Sequence, residues 1–385
     1  MLVGLPWLGK GFIPGRSGIA QATAGFALVS ALAGICLIIQ KLLSRRACPP
    51  FLTARPVLWL SLQVTVVMVF AVTASVYLRQ AASLEIPLRQ DAPEMPEGPN
   101  LILVTMDTVR ADHTSAYGYY RETTPTLEGL AAESTLYLNA IAPGDMTLST
   151  HASIFTGLPV NWHGAHYSYQ NPGGQPLAEG FNTLAEMLAR NGYFTAGVVA
   201  NHGYLGHWFQ LDQGFDYYDE RAPISFFPET PMGVLREALR RVLTIWFHPS
   251  FLTTIYRTAE EIHTETLKLI EELHKRNRPW FLFLNYMDAH TPYQPPPPFD
   301  TRFPGKNRLF TWPRYLEIKK KLLRQEYKLT LKEKQHLVSQ YDGGIAYQDH
   351  YLGMLLDELI KRGLYEDSLI IVTSDHGEAF GERSL

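Results

Sequence analysis

Acidic residues are missing from the first 84 positions of this 385-residue sequence, which contain seven Lys and Arg but no Asp or Glu. The other 301 residues carry all 37 acidic residues against 27 basic ones, a formal net charge of −10. Nucleic-acid-binding domains need clustered Lys and Arg to contact phosphates. The charge distribution therefore argues against nucleic acid as a partner of the larger part of the chain.

Cysteine is scarce, and both cysteines of the chain, Cys36 and Cys48, fall inside the acid-free segment. The remaining sequence has none. This excludes a disulfide framework and a thiolate metal site from the larger part of the chain.

Long apolar runs occur only within the acid-free segment, at 19–39 and 57–77. At about 1.5 Å per residue, a helix of either length crosses the roughly 30 Å of bilayer hydrocarbon. Residues 1–80 are therefore predicted to form a membrane anchor of two transmembrane helices. For the first run, an uncleaved signal-like segment and a buried core helix stay open as alternatives.

The orientation of this anchor follows from its basic residues. The loop between the runs has four, whereas the N-terminal tail and the stretch after the second run have two each: Lys41, Arg45, Arg46 and Arg55 against Lys10, Arg16, Arg79 and Arg89. By the positive-inside bias the loop is cytoplasmic. The sequence thus predicts a multi-pass protein of the cell membrane whose large domain lies on the extracytoplasmic side.

Residues 81–98, which are polar and contain three prolines, are predicted to form a linker to a domain at 99–385. In that domain short apolar runs alternate with helical stretches: "LILVTMD", "YFTAGVVAN", "WFLFLNYMDAH" and "SLIIVTSDHG" with Thr183–Arg190, Arg257–Lys275 and Leu331–Arg362. Continuous apolar runs are typical of strands buried on both faces of a parallel sheet. The predicted fold class is therefore α/β.

Polar side chains follow each predicted strand, where ligands gather in parallel α/β sheets. They are Asp107, Asn201 with His202, Asp288 with His290, and Asp375 with His376. Taken singly, each could be a turn residue or a helix cap. Taken together, carboxylates and imidazoles at four strand ends predict a site for one divalent ion. Such ligands favour zinc or manganese, with calcium as a further alternative.

Five blocks, occurring in order, resemble the sulfatase family of the alkaline-phosphatase superfamily: "LVTMDTVRADHTSAYGYYRETTPTLEGLAAEST", "TLSTHASIFTGLPVNWHG", "GYFTAGVVAN", "NYMDAHTPY" and "YDGGIAYQDHYLGMLLDELIKRGLYEDSLIIVTSDHGEAFGE". The resemblance covers most of residues 100–382. It implies a mostly parallel sheet flanked by helices. It also implies a metal-dependent enzyme acting on sulfate or phosphate esters.

The sequence departs from the sulfatase pattern at the nucleophile. In that family the stretch reads C-x-P-S-R and its cysteine becomes formylglycine, whereas here Thr147 stands at the cysteine and His151 at the arginine. The second metal-binding aspartate is matched by Thr108, the metal-binding asparagine by His376, and a lysine by Ala200. Threonine offers no route to formylglycine. The departures therefore weaken sulfatase chemistry in particular.

The departures resemble the superfamily's membrane-anchored transferases of phosphoethanolamine and glycerol phosphate. That resemblance implies Thr147 as nucleophile and one metal ion held by four residues, Asp107, Thr147, Asp375 and His376. A bound cation and a helix N-terminus would both favour a threonine alkoxide. The structural alternative is that Thr147 is an N-cap, and the two roles are compatible.

Four further residues complete the predicted site. His202 and His290 are expected to act in catalysis, and Asn201 and His163 to bind substrate. A packing role for His163 and a turn role for His290 stay open. The segment 221–257, which is basic and amphipathic in composition, either admits lipid-linked substrates at the membrane or packs on the domain as a lid.

Three functional hypotheses follow. The first is a membrane-anchored hydrolase or transferase acting on small-molecule or lipid-linked phosphate or sulfate esters. The second is a degenerate, non-catalytic, membrane-tethered binding domain, because several sulfatase positions are replaced. The third is a purely structural membrane protein.

Only nine residues follow His376, whereas chains of the resembled family continue well beyond this point. The C-terminal part of the fold is therefore expected to be missing, with the last strand lacking outer neighbours and exposing apolar surface. The sequence predicts either a fragment of a longer reading frame or a truncated copy with impaired stability and activity.

The predicted membrane topology can be tested with reporter fusions. A reporter that is active only outside the cytoplasm should work when fused after residue 98 and fail when fused after Arg46, because the basic loop stays in the cytoplasm. The opposite pattern of activity would rule out the two-helix hairpin.

Overall fold

The computed structural model describes residues 98–382, apart from residues 169, 170, 172, 222–255, 277 and 311. The predicted anchor at 1–80, all but the last residue of the linker and most of the 221–257 segment lie outside the described residues. Within the described ranges, no helix combines the length and the hydropathy needed to cross a bilayer.

Five parallel strands form one sheet in the order β3-β2-β4-β1-β5. In chain order they are β1 Asn100–Met106, β2 Phe194–Val199, β3 Tyr217–Asp219, β4 Trp280–Tyr286 and β5 Ser368–Thr373. Four of these strands were predicted, and the α/β class is confirmed. The three-residue strand β3 was not predicted because its sequence, YYD, is too short to show a period.

The centre of the sheet is dry because its strands carry apolar side chains on both faces. Every residue of β2 and β4 is buried. In the register, Leu103 of β1 lies opposite Phe283 of β4 on one side and Ile371 of β5 on the other. This arrangement brings the carboxyl ends of the strands, and the polar residues that follow them, to one edge of the sheet.

Seven α-helices flank the sheet in the described part of the chain. They are α1 Pro125–Glu133, α2 Thr147–Thr156, α3 Val160–His163, α4 Leu184–Arg190, α5 Ala259–His274, α6 Trp312–Leu323 and α7 Leu331–Lys361. Short 3₁₀ helices occur at Ala111–His113, Ser115–Tyr117, His207–Phe209 and Phe299–Thr301. The three helices predicted from sequence are confirmed as α4, α5 and α7, each to within two residues at either end.

The same sequence signal begins all three of these helices. Thr183, Thr258 and Thr330 are N-caps, and each forms a capping box with a glutamate three residues later. The threonine side chain accepts a hydrogen bond from a backbone N–H of the first turn, and the glutamate accepts one from the threonine N–H. Such reciprocal bonds satisfy donors that a helix N-terminus otherwise leaves free.

The long helix α7 passes very close to the loop that follows β4. A Cβ atom added at Gly344 would lie 2.4 Å from the carbonyl oxygen of Asp288. Only glycine permits this approach. The close crossing lets α7 reach the edge of the sheet where the site residues gather.

Strand β5 is less well covered than the others. Among the described strands it pairs with β1 alone, and its apolar side chains Leu369 and Ile371 are 51% and 47% exposed. Both side chains therefore contribute apolar surface to the described part of the protein.

Candidate active site

The turns after β1 and β5 bring together three side chains that could ligate a metal ion. Oxygens of Asp107 and Asp375 and a ring nitrogen of His376 lie within 4.8 Å of one another. Strands β1 and β5 are neighbours in the sheet, so the residues that follow them meet at its carboxyl edge. Three of the four predicted metal ligands thus form one group.

Two oxygens of this group are buried without a hydrogen-bond partner, Asp107 Oδ1 and Asp375 Oδ2. His376 donates from Nδ1 to the carbonyl oxygen of Gly377 at 3.0 Å. That bond leaves the lone pair on Nε2, which lies 3.5 Å from Asp375 Oδ2. Buried carboxylate oxygens and an oriented imidazole nitrogen are the donors that zinc and manganese accept, so the residues fit such an ion.

The electrostatics of Asp107 and Asp375 also favour a divalent ion. Burial, and then the charge of Asp375, raise the pKa of Asp107 well above its usual range, although a hydrogen bond from Asn201 opposes the shift. Two carboxylates so close together and away from water are unfavourable without a cation. A divalent ion would remove this repulsion.

The turn after β1 has a strained backbone. Thr108 adopts a φ of 62°, in the left-handed region that β-branched residues rarely occupy, at a cost of about 1–3 kcal/mol. In this conformation its N–H donates to Asp375 Oδ1 at 3.0 Å. The strained turn therefore joins the loops of the two metal-site carboxylates directly.

Thr147 is the first residue of α2, and the N-cap position belongs to Met146. The capping role considered for Thr147 is therefore wrong, because its hydroxyl makes no bond to the helix backbone and faces the site instead. Thr147 Oγ1 accepts from Asn201 Nδ2 at 3.3 Å and lies 3.5 Å from His376 Nε2. The predicted nucleophile thus lies beside the three-residue group at a helix N-terminus.

Asn201 connects Thr147 to the group of Asp107, Asp375 and His376. Its Nδ2 donates to Asp107 Oδ2 at 3.1 Å as well as to Thr147 Oγ1. Its Oδ1 accepts from the N–H of Tyr204 at 3.0 Å, which fixes the orientation of the amide. The structure thus brings Asn201 into the site, where it bridges protein groups.

His202 and His290 lie at the ends of β2 and β4. His202 Nδ1 donates to the carbonyl oxygen of Glu220 at 2.7 Å, and His290 Nδ1 donates to that of Thr291 at 2.7 Å. Burial lowers the pKa of His290, against the opposing effect of the Glu378 charge. In each ring the Nδ1 bond to the backbone leaves Nε2 available to other groups. No described hydrogen bond joins either ring to Thr147.

His163 is buried between α2 and α3. Its Nδ1 accepts from the N–H of Ala165 at 3.0 Å, and its Nε2 bonds the hydroxyl of Ser153 at 2.9 Å. Both ring nitrogens are therefore engaged within the protein. This geometry favours the packing role over substrate binding.

Asp288, a candidate ligand from its place after β4, stands apart from the metal group. Both carboxylate oxygens accept from the N–H of Ala259, at 3.2 and 3.1 Å, at the start of α5. Burial raises its pKa to about 8. For this strand end the capping interpretation is the correct one.

His151, which stands at the arginine of the sulfatase pattern, has contacts that the sequence does not predict. It is fully buried on α2, where Nδ1 donates to the carbonyl oxygen of Thr147 at 2.9 Å and Nε2 lies 3.0 Å from Thr105 Oγ1. Its Nδ1 is also 3.7 Å from Asp375 Oδ2. Burial lowers its pKa, which favours the neutral ring. The contacts of His151 link α2 to β1 and to Asp375.

A second buried cluster, which the sequence did not predict, supports the loop after β1. Asp342 of α7 accepts from His113 Nδ1 at 2.7 Å, Tyr119 Oη at 2.9 Å and Arg121 Nη1 at 2.7 Å. A lone aspartate inside a helix gives no sequence signal for such contacts. Its only indication was its place in the block that begins "YDGGIAYQD".

The structure is thus a parallel α/β sheet with carboxylates and an imidazole at its carboxyl edge, an arrangement that can hold a divalent ion. The family model described as Sulfatase matches residues 99–384. The chain belongs to the sulfatase family.

Known relatives are distant. Arylsulfatase A of Bos taurus is 29% identical in an alignment of 233 residues that covers 54% of this chain and 43% of that protein. Iduronate 2-sulfatase of Homo sapiens is 23% identical in an alignment of 363 residues that covers 87% of this chain and 62% of that protein. The chain thus spans about half the length of these curated relatives.

Solved structures agree on the fold. The phosphonate monoester hydrolase of Agrobacterium radiobacter superposes with a TM-score of 0.52 at 21% identity, over 74% of this chain and 63% of that chain. At this identity the likeness establishes the architecture alone.

Metal content distinguishes the two buried aspartates. The full chain purified with Asp375→Asn should lose a bound divalent ion, because one charged ligand is removed. Asp288→Asn should retain the ion, since Asp288 caps α5. Loss of metal in the Asp288 variant, or its retention in the Asp375 variant, would contradict this assignment.

The same Asp288 variant should change the pH dependence of stability. An acid whose folded pKa is raised gives a stabilising contribution that is complete below its unfolded pKa and is lost as pH rises through the folded value, here about 8. The parent should therefore lose stability between pH 5 and pH 8, whereas Asp288→Asn should not lose this contribution. The thermal midpoint of Asp288→Asn minus that of the parent should increase over this range. A difference that stays constant with pH would contradict the raised pKa.

Proposed function

We propose that this protein is a metal-dependent hydrolase or transferase of phosphate esters that uses Thr147 as its nucleophile. The observation that carries the proposal is the position of Thr147 Oγ1. It lies at the N-terminus of α2, 3.3 Å from Asn201 Nδ2 and 3.5 Å from His376 Nε2, next to the carboxylate pair. A hydroxyl so placed is suited to attack an ester bound at the same group.

Asp107, Asp375 and His376 would hold the ion, with zinc or manganese favoured by two carboxylates and one imidazole. When bound, a divalent cation lowers the pKa of a neighbouring hydroxyl and neutralises the charge of ester oxygens. The N-terminus of α2 adds partial positive charge at the same oxygen. Asn201 orients both Asp107 and Thr147 through its amide.

In the proposed reaction, Thr147 Oγ1 forms a bond to phosphorus as the bond from phosphorus to the leaving oxygen breaks. The leaving oxygen takes up a proton, and the threonine hydroxyl gives up its own. His290 and His202 are the proposed proton carriers, because each keeps Nε2 free of its backbone bond. Water or an alcohol then takes the group from Thr147 and restores the hydroxyl.

We further propose that the substrate is lipid-linked and that residues 1–80 anchor the domain outside the cytoplasm. Support comes from the stretch just before α2, where Tyr137, Leu138 and Ile141 are 72%, 73% and 90% exposed. Exposed apolar side chains close together mark contacts with apolar partners. The apolar runs at 19–39 and 57–77 and the basic, amphipathic 221–257 segment add to this argument.

The alternative is a non-catalytic, membrane-tethered binding domain. Replacement of the formylglycine cysteine and of the sulfatase lysine, here Ala200, favours it. Two buried carboxylate oxygens without partners support an ion at this site, and the hydroxyl of Thr147 beside it favours the enzyme.

Substitution of Thr147 tests the proposal. With the full chain in detergent and excess zinc or manganese, Thr147→Ala should lower turnover of an aryl phosphodiester by roughly three orders of magnitude or more, because the attacking oxygen is lost. Thr147→Ser should keep measurable activity. The matched control is Thr156→Ala, at the other end of α2, which should turn over like the parent.

Turnover of three aryl substrates tests which type of ester the protein prefers. A phosphodiester, a phosphomonoester and a sulfate ester are compared on the same preparation, and we expect either phosphate ester to exceed the sulfate. Equal turnover by the parent and Thr147→Ala would remove Thr147 from the mechanism. No turnover of any ester by a metal-loaded parent would favour the binding domain.

A further inference from the structure

The geometry of the metal group depends on a backbone turn that is unfavourable by itself. Thr108 follows the ligand Asp107 and is held at a φ of 62°. Its own hydroxyl donates to the carbonyl oxygen of Asp107 at 2.7 Å, a local bond that does not tie the turn to the rest of the fold. Another element must therefore hold the turn in place.

Apart from the Thr108 N–H bond to Asp375, the element that holds the turn is Tyr341 on helix α7. Its Oη donates to the carbonyl oxygen of Thr108 at 2.6 Å and accepts from the N–H of Arg110 at 2.9 Å. The side chain is completely buried, so no water competes for these bonds. A single phenol oxygen thus spans the residues on either side of Val109 and fixes the path of the chain just after Asp107.

The ring of Tyr341 also contacts the loop that follows the other ligands. It packs against Phe380 in an edge-to-face contact, with ring centroids 5.0 Å apart. Arg110, whose N–H bonds Tyr341, donates through Nη1 to the carbonyl oxygen of Glu378 at 2.8 Å. Tyr341 is therefore linked to both ligand-bearing loops, the turn after Asp107 and the stretch after His376.

We infer that Tyr341 is a positioning residue for the metal centre, holding Asp107 and Asp375 at the separation that a divalent ion requires. The inference rests on the metal centre of the proposed function. Phenylalanine would fill the same space but could neither accept from Arg110 nor donate to Thr108. Without these bonds the turn can relax from its left-handed conformation, and the Thr108 N–H that orients Asp375 moves with it.

The test compares metal affinity with stability in the metal-free state. In the full chain, Tyr341→Phe should weaken zinc or manganese binding by about 10–100-fold, the range found when groups that orient metal ligands are removed. The affinity is measured by calorimetric titration of chelator-treated protein. A merely structural tyrosine would lower the thermal midpoint of the metal-free protein and leave the affinity unchanged.

Tyr347→Phe is the matched control, because Tyr347 is also buried on α7 but its hydroxyl lies 3.5 Å from Glu260 Oε2, on α5. This variant should bind metal like the parent. The second variant is Thr108→Gly, which removes the side chain that makes the left-handed turn unfavourable. In the Thr108→Gly background, Tyr341→Phe should cost less metal affinity than in the parent, a coupling that independent effects would not give.

Each outcome decides the matter. The positioning role is supported if the single variant Tyr341→Phe binds metal more weakly than the parent and Tyr347→Phe does not. It also requires that Tyr341→Phe cost less metal affinity in the Thr108→Gly background. Parent-like affinity in Tyr341→Phe, or an equal loss in Tyr347→Phe, overturns it while leaving the metal centre intact. If Tyr341→Phe does not fold, the metal affinity of Thr108→Gly decides instead. An affinity equal to or above that of the parent supports strain in the turn. A strong loss of affinity overturns the positioning role of Tyr341. A parent that binds no divalent ion overturns the metal centre and this inference together.

Discussion

The close approach of two buried carboxylates is the constraint on which the rest of the site depends. Asp107 and Asp375 follow neighbouring strands, both are fully buried, and each keeps one oxygen without a partner. An uncompensated buried charge costs on the order of a few kcal/mol. The fold tolerates the pair because the two residues lie where an ion can bind, and His376 adds a third donor.

The surrounding elements all act on the geometry of this pair. The strand order places β1 beside β5, the strained turn at Thr108 joins the two loops, and Tyr341 holds that turn. Asn201 extends the network to Thr147, whose place at the start of α2 adds helix-dipole stabilisation. The hydroxyl is therefore oriented by the same contacts that orient the ligands. Position and electrostatics, more than any single reactive group, give the site its proposed chemistry.

Most strands and helices of the fold, and the pairing of Asp107 with Asp375, could be predicted because local sequence patterns indicate them. Buried strands show as continuous apolar runs, and helices show as amphipathic stretches between them, so four strands and three helices were predicted. The strand-end rule placed Asp107 beside Asp375. The same rule could not separate Asp288, a helix cap, from the ligands, because both patterns read alike until the partner of the carboxylate is known. Tyr341 lies more than 230 positions from the turn it contacts, and no local pattern reports such a contact.

The central claim is that a metal-bound site makes Thr147 the attacking group, and a trapped covalent intermediate tests it most directly. The full chain, loaded with zinc or manganese, is mixed with an aryl phosphodiester, quenched in acid and digested for mass spectrometry. The account predicts that the peptide containing Thr147 carries the transferred phosphoryl group, and that chelator-treated protein shows no such modification. A phosphoryl group on another residue, or turnover by the metal-loaded protein with Thr147 unmodified under all quench times, would contradict the account.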